Sequence, residues 1–564
     1  MKSNIPHIEY PRPQLQRESY INLNGEWFLG HSKQGYPLEY QHKIKVPFSP
    51  ETKASGLGNF ILKPDEVLFY KREFEISSEF LKDITFLHFG AVDYSCICYI
   101  NGKEVGYHQG GFLPFSFDVS KAIRTGKNEV RLTVTDPTDT GIQSRGKQKL
   151  KRGGIWYTPQ SGIWQTVWME SVSKDYIKHL KITPNIDTKT IEVEVDTESD
   201  SILIQVISGT EVIAESTKKL STISIPDMEL WSPENPKLYD LKIKTKNDLV
   251  SSYFGMRKFS IGYDGKFKRL YLNNKPYFHN GLLDQGYWSE GLLTPPDDES
   301  MIKEISLMKE MGFNTLRKHI KIEPLRWYYH CDRIGMLVWQ DFVCGGGPYQ
   351  NWKVAYLPFI GWKTDDTKHK FLNRTDERGK QEFIAEMNST VSLLYNTVSL
   401  AVWVLFNEGW GQFDSVQLTK ELKALDSTRT IDSVSGWYDQ GKNSSDLKSL
   451  HLYYQKLKVP KNEPRVIVLS EFGGYSLKTE GHVYDDKKLF GYKILPDKES
   501  LQMEYRKLFE KELIPLIKQG LSASIYTQVS DVEEEINGLV TYDRKVVKFD
   551  IPFLKEINQK LQYQ

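Results

Sequence analysis

The chain has 564 residues, too many for one ordinary hydrophobic core, and about three or four domains are expected from this length. Its 74 basic and 73 acidic residues leave a formal net charge of +1. Such a balance provides no attraction for nucleic acid or for an anionic membrane surface, so neither partner is expected. No segment approaches the ~20 consecutive apolar residues that a membrane-spanning helix requires.

Residue composition narrows the class of ligand and the compartment. Aromatic residues make up 13% of the chain, including 13 Trp and 31 Tyr, and sugars bind proteins by stacking on such rings. The 4 cysteines are too few and too scattered for a disulfide framework, and they show no metal-ligand spacing. The N-terminus lacks the apolar region of a secretory signal, so we expect a cytoplasmic protein with a small or neutral ligand.

From residue 22 to residue 170 the sequence has the character of an all-β domain. Short alternating runs such as VLFYKREFEI, SCICYI and NEVRLTVTD are separated by Gly, Asn and Asp turn signals. Asn101-Gly102, between two such runs, predicts a tight hairpin. We predict a jelly-roll β-sandwich over residues 1–173.

A basic stretch, residues 144–152 (SRGKQKLKR), interrupts this all-β pattern. One interpretation is a solvated loop, which is what most runs of charge are. The alternative is a loop that reaches across to a neighbouring active site. Both interpretations stay open at the level of the sequence.

Residues 174–262 form a second, shorter all-β region. Runs such as TIEVEVDT, SILIQVIS and YDLKIKTK contribute to about seven short strands, which is typical of an immunoglobulin-like β-sandwich. The region carries no catalytic constellation, and we expect a scaffold role for it.

After residue 262, apolar runs alternate with helical patterns. Met301, Ile305 and Met308 recur at helical spacing behind Asp297-Asp298, which predicts a capped helix. Strands and helices that alternate eight times over about 300 residues predict a (β/α)8 barrel spanning residues 263–564. The predicted strands are residues 276–283, 315–320, 337–342, 400–407, 430–436, 449–454, 465–472 and 522–529. Further helical patterns cover residues 324–333, 376–394 and 501–517.

Two of the predicted strands end in a glutamate. Glu408 follows the apolar run AVWVLFN and precedes Gly409, while Glu471 follows RVIVLS and precedes FGG. The active site of a (β/α)8 barrel lies at the carboxyl ends of the strands, so both side chains are expected at one face. A pair of carboxyl groups there is what acid/base chemistry on a glycosidic bond requires.

Several motifs together resemble glycoside hydrolase family 2, which contains β-galactosidases, β-glucuronidases and β-mannosidases. They are NLNGEWFLG near the start, GIWQTVWMESV at the end of the first domain, FGMRKFSI before the barrel, and FNEGWGQ and LSEFGG within it. The resemblance extends over residues 22–549. It implies a short, three-domain member whose barrel is catalytic.

The resemblance also implies roles for individual residues. Glu408 would be the general acid/base, Glu471 the nucleophile, and Asn407 would hold the 2-hydroxyl of the sugar. Retaining hydrolysis starts from a protonated Glu408 and an ionised Glu471, so burial and the charge of Glu471 must raise the pKa of Glu408. Both carboxyl groups act without a metal, so no metal and no other cofactor is expected.

Other residues near the strand ends are candidates for substrate contact. Arg317 is expected to keep Glu471 ionised, and Tyr453 to orient Glu471, with Tyr454 as the competing choice. For each candidate the alternative is a structural role, as an interior ion pair, a cap, a loop anchor or core packing. The remaining candidates for sugar binding are His319, Asp284, Trp339, Asp341, His451 and Trp410.

The sugar is predicted from a departure from the family pattern. Members of the family that cleave β-glucuronides share an Asn-x-Lys motif before the last barrel segment. At that position this chain has the sequence EEEINGLVTYDRKV. Glu533, Glu534 and Glu535 would repel a uronate carboxylate, which disfavours a β-glucuronidase. We therefore predict an exo-acting, retaining β-galactosidase.

Two classes of alternative stay open. One is a different specificity, as a β-glucuronidase, β-mannosidase, β-xylosidase or α-L-arabinosidase, because these sugars differ by one substituent. The other is a non-catalytic, carbohydrate-binding homologue that binds sugar without turnover. Exposed edges of the β domains are compatible with a homo-oligomer.

Overall fold

The computed structural model describes residues 5–33, 39–441 and 443–563. These residues form an antiparallel β-sandwich, a second and smaller β-sandwich, and a C-terminal barrel of parallel strands. The predicted fold class, with its order of two β domains before a (β/α)8 barrel, is confirmed.

The first domain packs two main antiparallel sheets around an apolar core. Its strands are β1 (Ile21–Asn22), β2 (Gly25–Lys33), β3 (His42–Val46), β4 (Glu66–Ile76), β5 (Ile84–Phe89), β6 (Val92–Asp93), β7 (Ser95–Ile100), β8 (Lys103–Gln109), β9 (Phe115–Asp118), β10 (Gly126–Thr135), β11 (Gly162–Ile163) and β12 (Val167–Val172). In the described part of the chain, one sheet has the order β3-β2-β4-β10-β7-β8 and the other β1-β12-β5-β9. Asn101 and Gly102, with φ of 52° and 79°, form the predicted turn between β7 and β8.

The second domain is a smaller sandwich whose strands alternate between buried and exposed residues. Its strands are β13 (Ile177–Asn185), β14 (Thr190–Thr197), β15 (Ile202–Ser208), β16 (Glu211–Ser216), β17 (Leu220–Ser224), β18 (Tyr239–Thr245) and β19 (Leu249–Phe254). They form a sheet β13-β14-β17 and a sheet β16-β15-β18-β19. In β14, Ile191 and Val193 face the core while Glu192 and Glu194 are exposed, which is the two-residue period of a strand with one wet face.

A small antiparallel sheet of β20 (Phe259–Tyr263), β21 (Lys268–Leu272) and β22 (Lys275–Pro276) leads into the barrel. The barrel strands are β23 (His279–Asp284), β24 (Thr315–Lys318), β25 (Leu337–Asp341), β26 (Leu400–Asn407), β27 (Thr430–Ser435), β28 (Leu447–Leu452), β29 (Val466–Gly473) and, after the short parallel pair β30 (Tyr475–Leu477) and β31 (Lys493–Leu495), β32 (Leu521–Thr527). Their order is β27-β26-β25-β24-β23-β32-β29-β28, with parallel pairing throughout. Each overlaps a strand that the sequence predicts.

Both faces of the barrel strands are buried. Val402 and Val404 of β26 pack inside the barrel with Val468 and Ile525, in a cluster separate from the one that contains the helices. Trp403, between them, packs on the helical side. Because both faces are buried, these strands have continuous apolar sequences. A polar residue at the end of such a strand is therefore easy to recognise in the sequence.

Helices surround the barrel, and they are α1 (Asp298–Glu310), α2 (Leu325–Ile334), α3 (Leu357–Phe359), α4 (Glu377–Leu394), α5 (Ser415–Leu425), α6 (Lys498–Lys507), α7 (Ile514–Ile517) and α8 (Ile551–Asn558). The Asp297 carboxylate caps α1 by accepting from the Ser300 amide, as the sequence predicts. A π-helical segment, Leu508–Leu513, joins α6 to α7, so the predicted helical stretch 501–517 is continuous. Among the described residues, no helix is both long and apolar enough to cross a membrane.

Candidate active site

The two strand-end glutamates lie side by side. Glu408 follows β26 and Glu471 lies near the end of β29, and one carboxylate oxygen of each, together with a ring nitrogen of His451, falls within 4.8 Å of the other two. Retaining glycoside hydrolysis requires two carboxyl groups at about 5–5.5 Å. The geometry therefore suits a double displacement at one sugar carbon.

A sharp turn presents Glu408 to the site. The φ of Glu408 is +50°, in the left-handed region that residues other than glycine rarely adopt. Gly409 continues the turn with a φ of +74°. The Glu408 amide donates to the Ser435 carbonyl of β27 at 2.9 Å. Neighbouring structure thus holds a conformation that costs on the order of 1–3 kcal/mol, a feature found where function fixes a side chain.

Glu471 is held as an anion. The Arg317 guanidinium donates to its Oε1 at 3.1 Å, and the Tyr453 hydroxyl donates to its Oε2 at 2.7 Å. Burial acts to raise the pKa of Glu471, but the charges of His451 and Arg317 outweigh it, and the pKa is lowered. This is the state that a nucleophilic carboxylate needs.

The environment of Glu408 favours the protonated form of its carboxyl group. Burial and the negative charge of Glu471 raise the pKa of Glu408, and a 2.8 Å hydrogen bond with His451 Nδ1 opposes this only in part. In the part of the chain that the structure describes, no Lys or Arg side chain lies within ion-pair distance of Glu408. This carboxyl group therefore retains its proton at higher pH than its neighbour, as a general acid must.

Arg317, fully buried on β24, organises the site. Its Nε and one terminal nitrogen bind both oxygens of Asp341 at 2.9 Å, and the same terminal nitrogen donates to Asn407 Oδ1 at 2.8 Å. Asp341 also contacts His319 Nδ1 at 2.8 Å. One planar, five-donor side chain thereby fixes the nucleophile, an aspartate and an asparagine at once.

The contact with Arg317 orients the Asn407 amide. Because Oδ1 accepts from the guanidinium, Nδ2 is turned away, and this buried nitrogen has no hydrogen-bond partner among the described residues. A buried donor without an acceptor costs about 1–3 kcal/mol. A hydroxyl of a bound ligand would satisfy it.

His451 of β28 lies between the two glutamates. Its Nδ1 contacts Glu408 as described, and its Nε2 lies 2.9 Å from Ser435 Oγ and 3.6 Å from Glu471 Oε1. Both ring nitrogens are therefore engaged, and the imidazole position is fixed relative to both carboxyl groups. Glu408, His451 and Glu471 are also spaced closely enough to hold a cation, but Arg317 already supplies a positive charge to Glu471.

Of the two neighbouring tyrosines, Tyr453 faces the site. Tyr453 is buried and contacts Glu471 and Thr527 through its hydroxyl, whereas Tyr454 is 71% exposed. Tyr492 stacks on Tyr453 with ring centroids 4.1 Å apart and adds a wall that no sequence motif indicates.

Two candidates from the sequence lie away from the carboxyl pair. Asp284 forms an ion pair with the Lys318 ammonium at 2.7 Å. It also accepts a hydrogen bond from the Gly286 amide at 2.9 Å, which closes a turn. Trp339 is fully buried in the barrel interior, where its indole nitrogen donates to His279 Nδ1 at 2.9 Å. Neither side chain hydrogen-bonds to Glu408 or Glu471 in the described part of the chain, and their role in sugar binding stays a prediction.

His319 and Trp410 form another wall. The His319 ring lies 6.1 Å from Trp410, edge to face, and burial together with the Lys147 cation holds the pKa of His319 well below its ordinary value. Trp410 is buried and also packs on Trp156, with ring centroids 5.2 Å apart. Because its pKa is lowered, His319 is neutral near pH 7 and suited to hydrogen bonding rather than to ion pairing.

The first domain reaches into this wall through a segment that we call the interdomain loop (residues 144–158). Its Arg145 amide donates to the Cys344 carbonyl, after β25, at 2.9 Å, and the Arg145 guanidinium donates to the Gly346 carbonyl at 2.6 Å. Lys147 is buried rather than solvated. The solvated-loop interpretation is thus wrong for this segment, and the reaching loop is the correct one.

The acidic run at the end of the barrel meets the same loop. Glu533 accepts from the Thr158 amide, Glu534 pairs with Arg152 at 3.0 Å, and Glu535 accepts from the Tyr157 hydroxyl. Asn537 also donates to Glu535 at 2.9 Å. The three carboxylates therefore already have partners from the first domain or from their own segment.

The sequence matches three consecutive family models. They are described as glycosyl hydrolases family 2, sugar binding domain (residues 40–168), glycosyl hydrolases family 2 (residues 175–257), and glycosyl hydrolases family 2, TIM barrel domain (residues 266–561). Together they extend over most of the chain.

Among curated relatives, a putative beta-glucuronidase from Formosa agariphila is 27% identical over 364 residues, which are 60% of this chain and 39% of that protein. A beta-galactosidase from Thermoanaerobacter pseudethanolicus is 25% identical over 352 residues, which are 57% of this chain and 46% of that protein. The chain thus matches less than half the length of either relative. Among solved structures, a beta-D-glucuronidase from Dictyoglomus thermophilum has a TM-score of 0.77 at 18% identity, covering 98% of both chains, which shows a shared fold.

Proposed function

The chain belongs to glycoside hydrolase family 2, and on this premise we propose that it is a retaining, exo-acting β-glycosidase with Glu471 as nucleophile and Glu408 as acid/base. One observation carries the proposal: two carboxyl groups within 4.8 Å of each other have pKa values shifted in opposite directions. Environments that push a pair of acids apart in this way assign the acid and the anion.

In the first step, the Glu471 carboxylate attacks the anomeric carbon while Glu408 gives its proton to the glycosidic oxygen. The aglycone leaves as an alcohol, and a glycosyl ester forms on Glu471. Arg317 and Tyr453 hold the attacking carboxylate in position before the reaction. The Asn407 amide nitrogen, which is free for an acceptor, would bind the 2-hydroxyl, a contact that strengthens in the transition state.

In the second step, the charge that raised the pKa of Glu408 has been consumed, because Glu471 is now an ester. Glu408 is then an ionised base that takes a proton from water as the water oxygen attacks the anomeric carbon. The ester bond breaks, Glu471 returns as a carboxylate, and the sugar leaves with retained configuration. Contact with His451 holds Glu408 in place through both steps.

For the glycone we propose a neutral sugar, with β-galactosides first. The support is the run Glu533 to Glu535, which adds negative charge at the first-domain edge of the site. β-Uronides are a second candidate, and a specific observation favours them. Arg152 and Tyr157 already neutralise or occupy these carboxylates, so their repulsion of a uronate is weaker than the sequence implies.

A panel of chromogenic aryl β-glycosides tests both parts of the proposal. It includes the galactoside, glucoside, mannoside, xyloside, glucuronide and α-L-arabinoside, with Glu471→Gln as the blank. We expect turnover of the galactoside that falls at least about 10,000-fold in the blank. Turnover of the glucuronide alone would replace the predicted sugar, whereas sugar binding without any turnover would identify a non-catalytic binding protein.

A further inference from the structure

We propose that Lys147, supplied by the first domain, is a substrate-binding residue of the barrel site and that its ammonium group donates hydrogen bonds to an oxygen of the glycone. This inference rests on the proposed glycosidase function and assigns a role to one residue of the basic stretch 144–152, for which the sequence left two interpretations open. It also makes the first domain part of the active site rather than an appended module.

The position of Lys147 is fixed by the backbone on which it stands. The amides of Arg145 and Gly146 both donate to the Cys344 carbonyl, at 2.9 and 3.1 Å. A Cβ on Gly146, whose φ is +63°, would lie 3.1 Å from the Ile320 carbonyl oxygen, so the loop lies directly against the segment after β24. Lys147 is therefore placed beside His319, at the carboxyl ends of the strands.

The Lys147 side chain is largely buried, and its ammonium group has no counter-ion among the described residues. The residue is 6% exposed, and its Nζ lies 5.3 Å from the ring centroid of Tyr157 and 5.8 Å from that of Trp410. Among the described residues, no carboxylate lies within ion-pair distance of Nζ and no atom accepts a hydrogen bond from it. Contacts with aromatic faces compensate a buried cation only in part. An ammonium carries three donors and no acceptor, so it fits an oxygen-bearing ligand.

The charge of Lys147 acts toward the catalytic centre. Burial raises the pKa of Glu408, and the Lys147 cation opposes part of that rise; the same cation helps to lower the pKa of His319. The ammonium lies near the space between these two side chains, because the Trp410 ring that Nζ faces at 5.8 Å also contacts the His319 ring. A sugar on the nucleophile would occupy this space, with Trp410 as its wall.

Two kinds of oxygen on the sugar could accept the hydrogen bond from Lys147. They are a hydroxyl of a neutral glycone and the carboxylate of a uronide, and the size of the effect distinguishes them. Loss of a charged donor to a hydroxyl costs about 10- to 150-fold in binding, and loss of an ion pair with a buried carboxylate costs more.

The test compares Lys147→Met with Lys149→Met. Lys149 lies on the same loop with its Nζ 4.0 Å from the ring centroid of Trp156, so each variant removes one ammonium next to an indole or phenol and keeps the apolar stem. Kinetics on the aryl β-galactoside and β-glucuronide are measured for both, with thermal unfolding to verify folding. We expect kcat/KM to fall about 10- to 150-fold in Lys147→Met and less than about 3-fold in Lys149→Met. A drop confined to the glucuronide identifies the carboxylate as acceptor, and a drop on the galactoside identifies a hydroxyl.

A binding measurement keeps the inference separate from catalysis. Galactose and glucuronic acid are titrated into Glu471→Gln, with and without Lys147→Met, and the fluorescence of the site tryptophans is followed. Tighter binding of either sugar when Lys147 is present supports the inference even if wild-type protein turns over nothing, a result that would contradict the proposed function alone. Equal kinetics and equal binding with and without Lys147 would overturn the inference and leave the glycosidase intact.

Discussion

The ends of β26 and β29 have the same sequence design and opposite electrostatic environments. Each is an apolar strand with a glutamate at its carboxyl end and a glycine one or two residues after that glutamate. At the end of β29, burial acts to raise the pKa of Glu471, but the charges of His451 and Arg317, together with the hydrogen bond from the Tyr453 phenol, lower it. At the end of β26, Glu408 meets an imidazole and the other carboxylate, and its pKa is raised by burial and by that neighbour's charge.

The difference is not produced by these two strands alone. Arg317 stands on β24 and reaches Glu471 and Asn407 but is not within ion-pair distance of Glu408. The charge of His451 on β28 and the Arg317 cation on β24 together lower the pKa of Glu471, whereas burial and the negative charge of Glu471 raise the pKa of Glu408. The following predictions test this division of the two glutamates into an anion and an acid, from the largest expected effect to the smallest.

Glu408→Ala should remove the acid and leave the nucleophile intact. We expect a loss of about 100- to 10,000-fold for substrates with poor leaving groups, because these need protonation, and a small loss for activated aryl glycosides. Azide should restore turnover of activated substrates and give a β-glycosyl azide. Equal losses for good and poor leaving groups would contradict the assignment of Glu408 as the acid.

Arg317→Met should reduce the difference in pKa between Glu471 and Glu408. Glu471 and Asp341 would then be buried without this counter-ion, so the pKa of Glu471 should rise and the ionised nucleophile should be lost, with a fall in kcat/KM on the order of 1,000-fold.

The pH profile separates this electrostatic effect from general damage. In the wild type, activity is lost as pH falls through the lowered pKa of Glu471 and as pH rises through the raised pKa of Glu408. Without Arg317 the pKa of Glu471 rises, so the acid limb should move to higher pH. An unmoved acid limb with a lowered melting temperature would show that Arg317 has only a structural role.

Tyr453→Phe should weaken the end of β29 alone. The lost hydrogen bond to a charged group is worth about 1.5–3 kcal/mol, so kcat should fall about 10- to 150-fold with a smaller upward shift of the acid limb. Tyr454→Phe is the matched control, because Tyr454 is exposed and should leave kinetics unchanged. Equal effects of the two variants would contradict the role given to Tyr453.

The fold was readable from the sequence because each level of pattern agrees with the next. The barrel strands are buried on both faces, so apolar runs mark them within a few residues; the predicted 465–472, for example, is observed as Val466–Gly473. The carboxyl pair was readable for the same reason, since a polar residue that ends such a run is conspicuous. The resemblance to a family then supplied which carboxyl group is the acid.

Only part of the walls of the site could be predicted: His319 and Trp410 lie near the ends of predicted strands, whereas the other wall residues depend on contacts between distant segments. Lys147 and Trp156 reach the barrel from a loop of another domain, and Tyr492 packs on Tyr453 from a segment without a motif. The sequence predicts substrate contact for Asp284 because this residue lies at a strand end. In the structure, the neighbouring Lys318 binds its carboxylate. Strand position alone does not tell which carboxylate faces an open pocket and which is already paired.

The most direct test of the two-glutamate division is covalent trapping. A 2-deoxy-2-fluoro aryl glycoside of the sugar that the panel identifies slows release of the glycosyl enzyme more than its formation, and the digested protein is then analysed by mass spectrometry. The account predicts one added fluorosugar on the peptide that contains Glu471, in wild type and not in Glu471→Gln. A label on the peptide that contains Glu408, or hydrolysis with inverted configuration and no label, would contradict it.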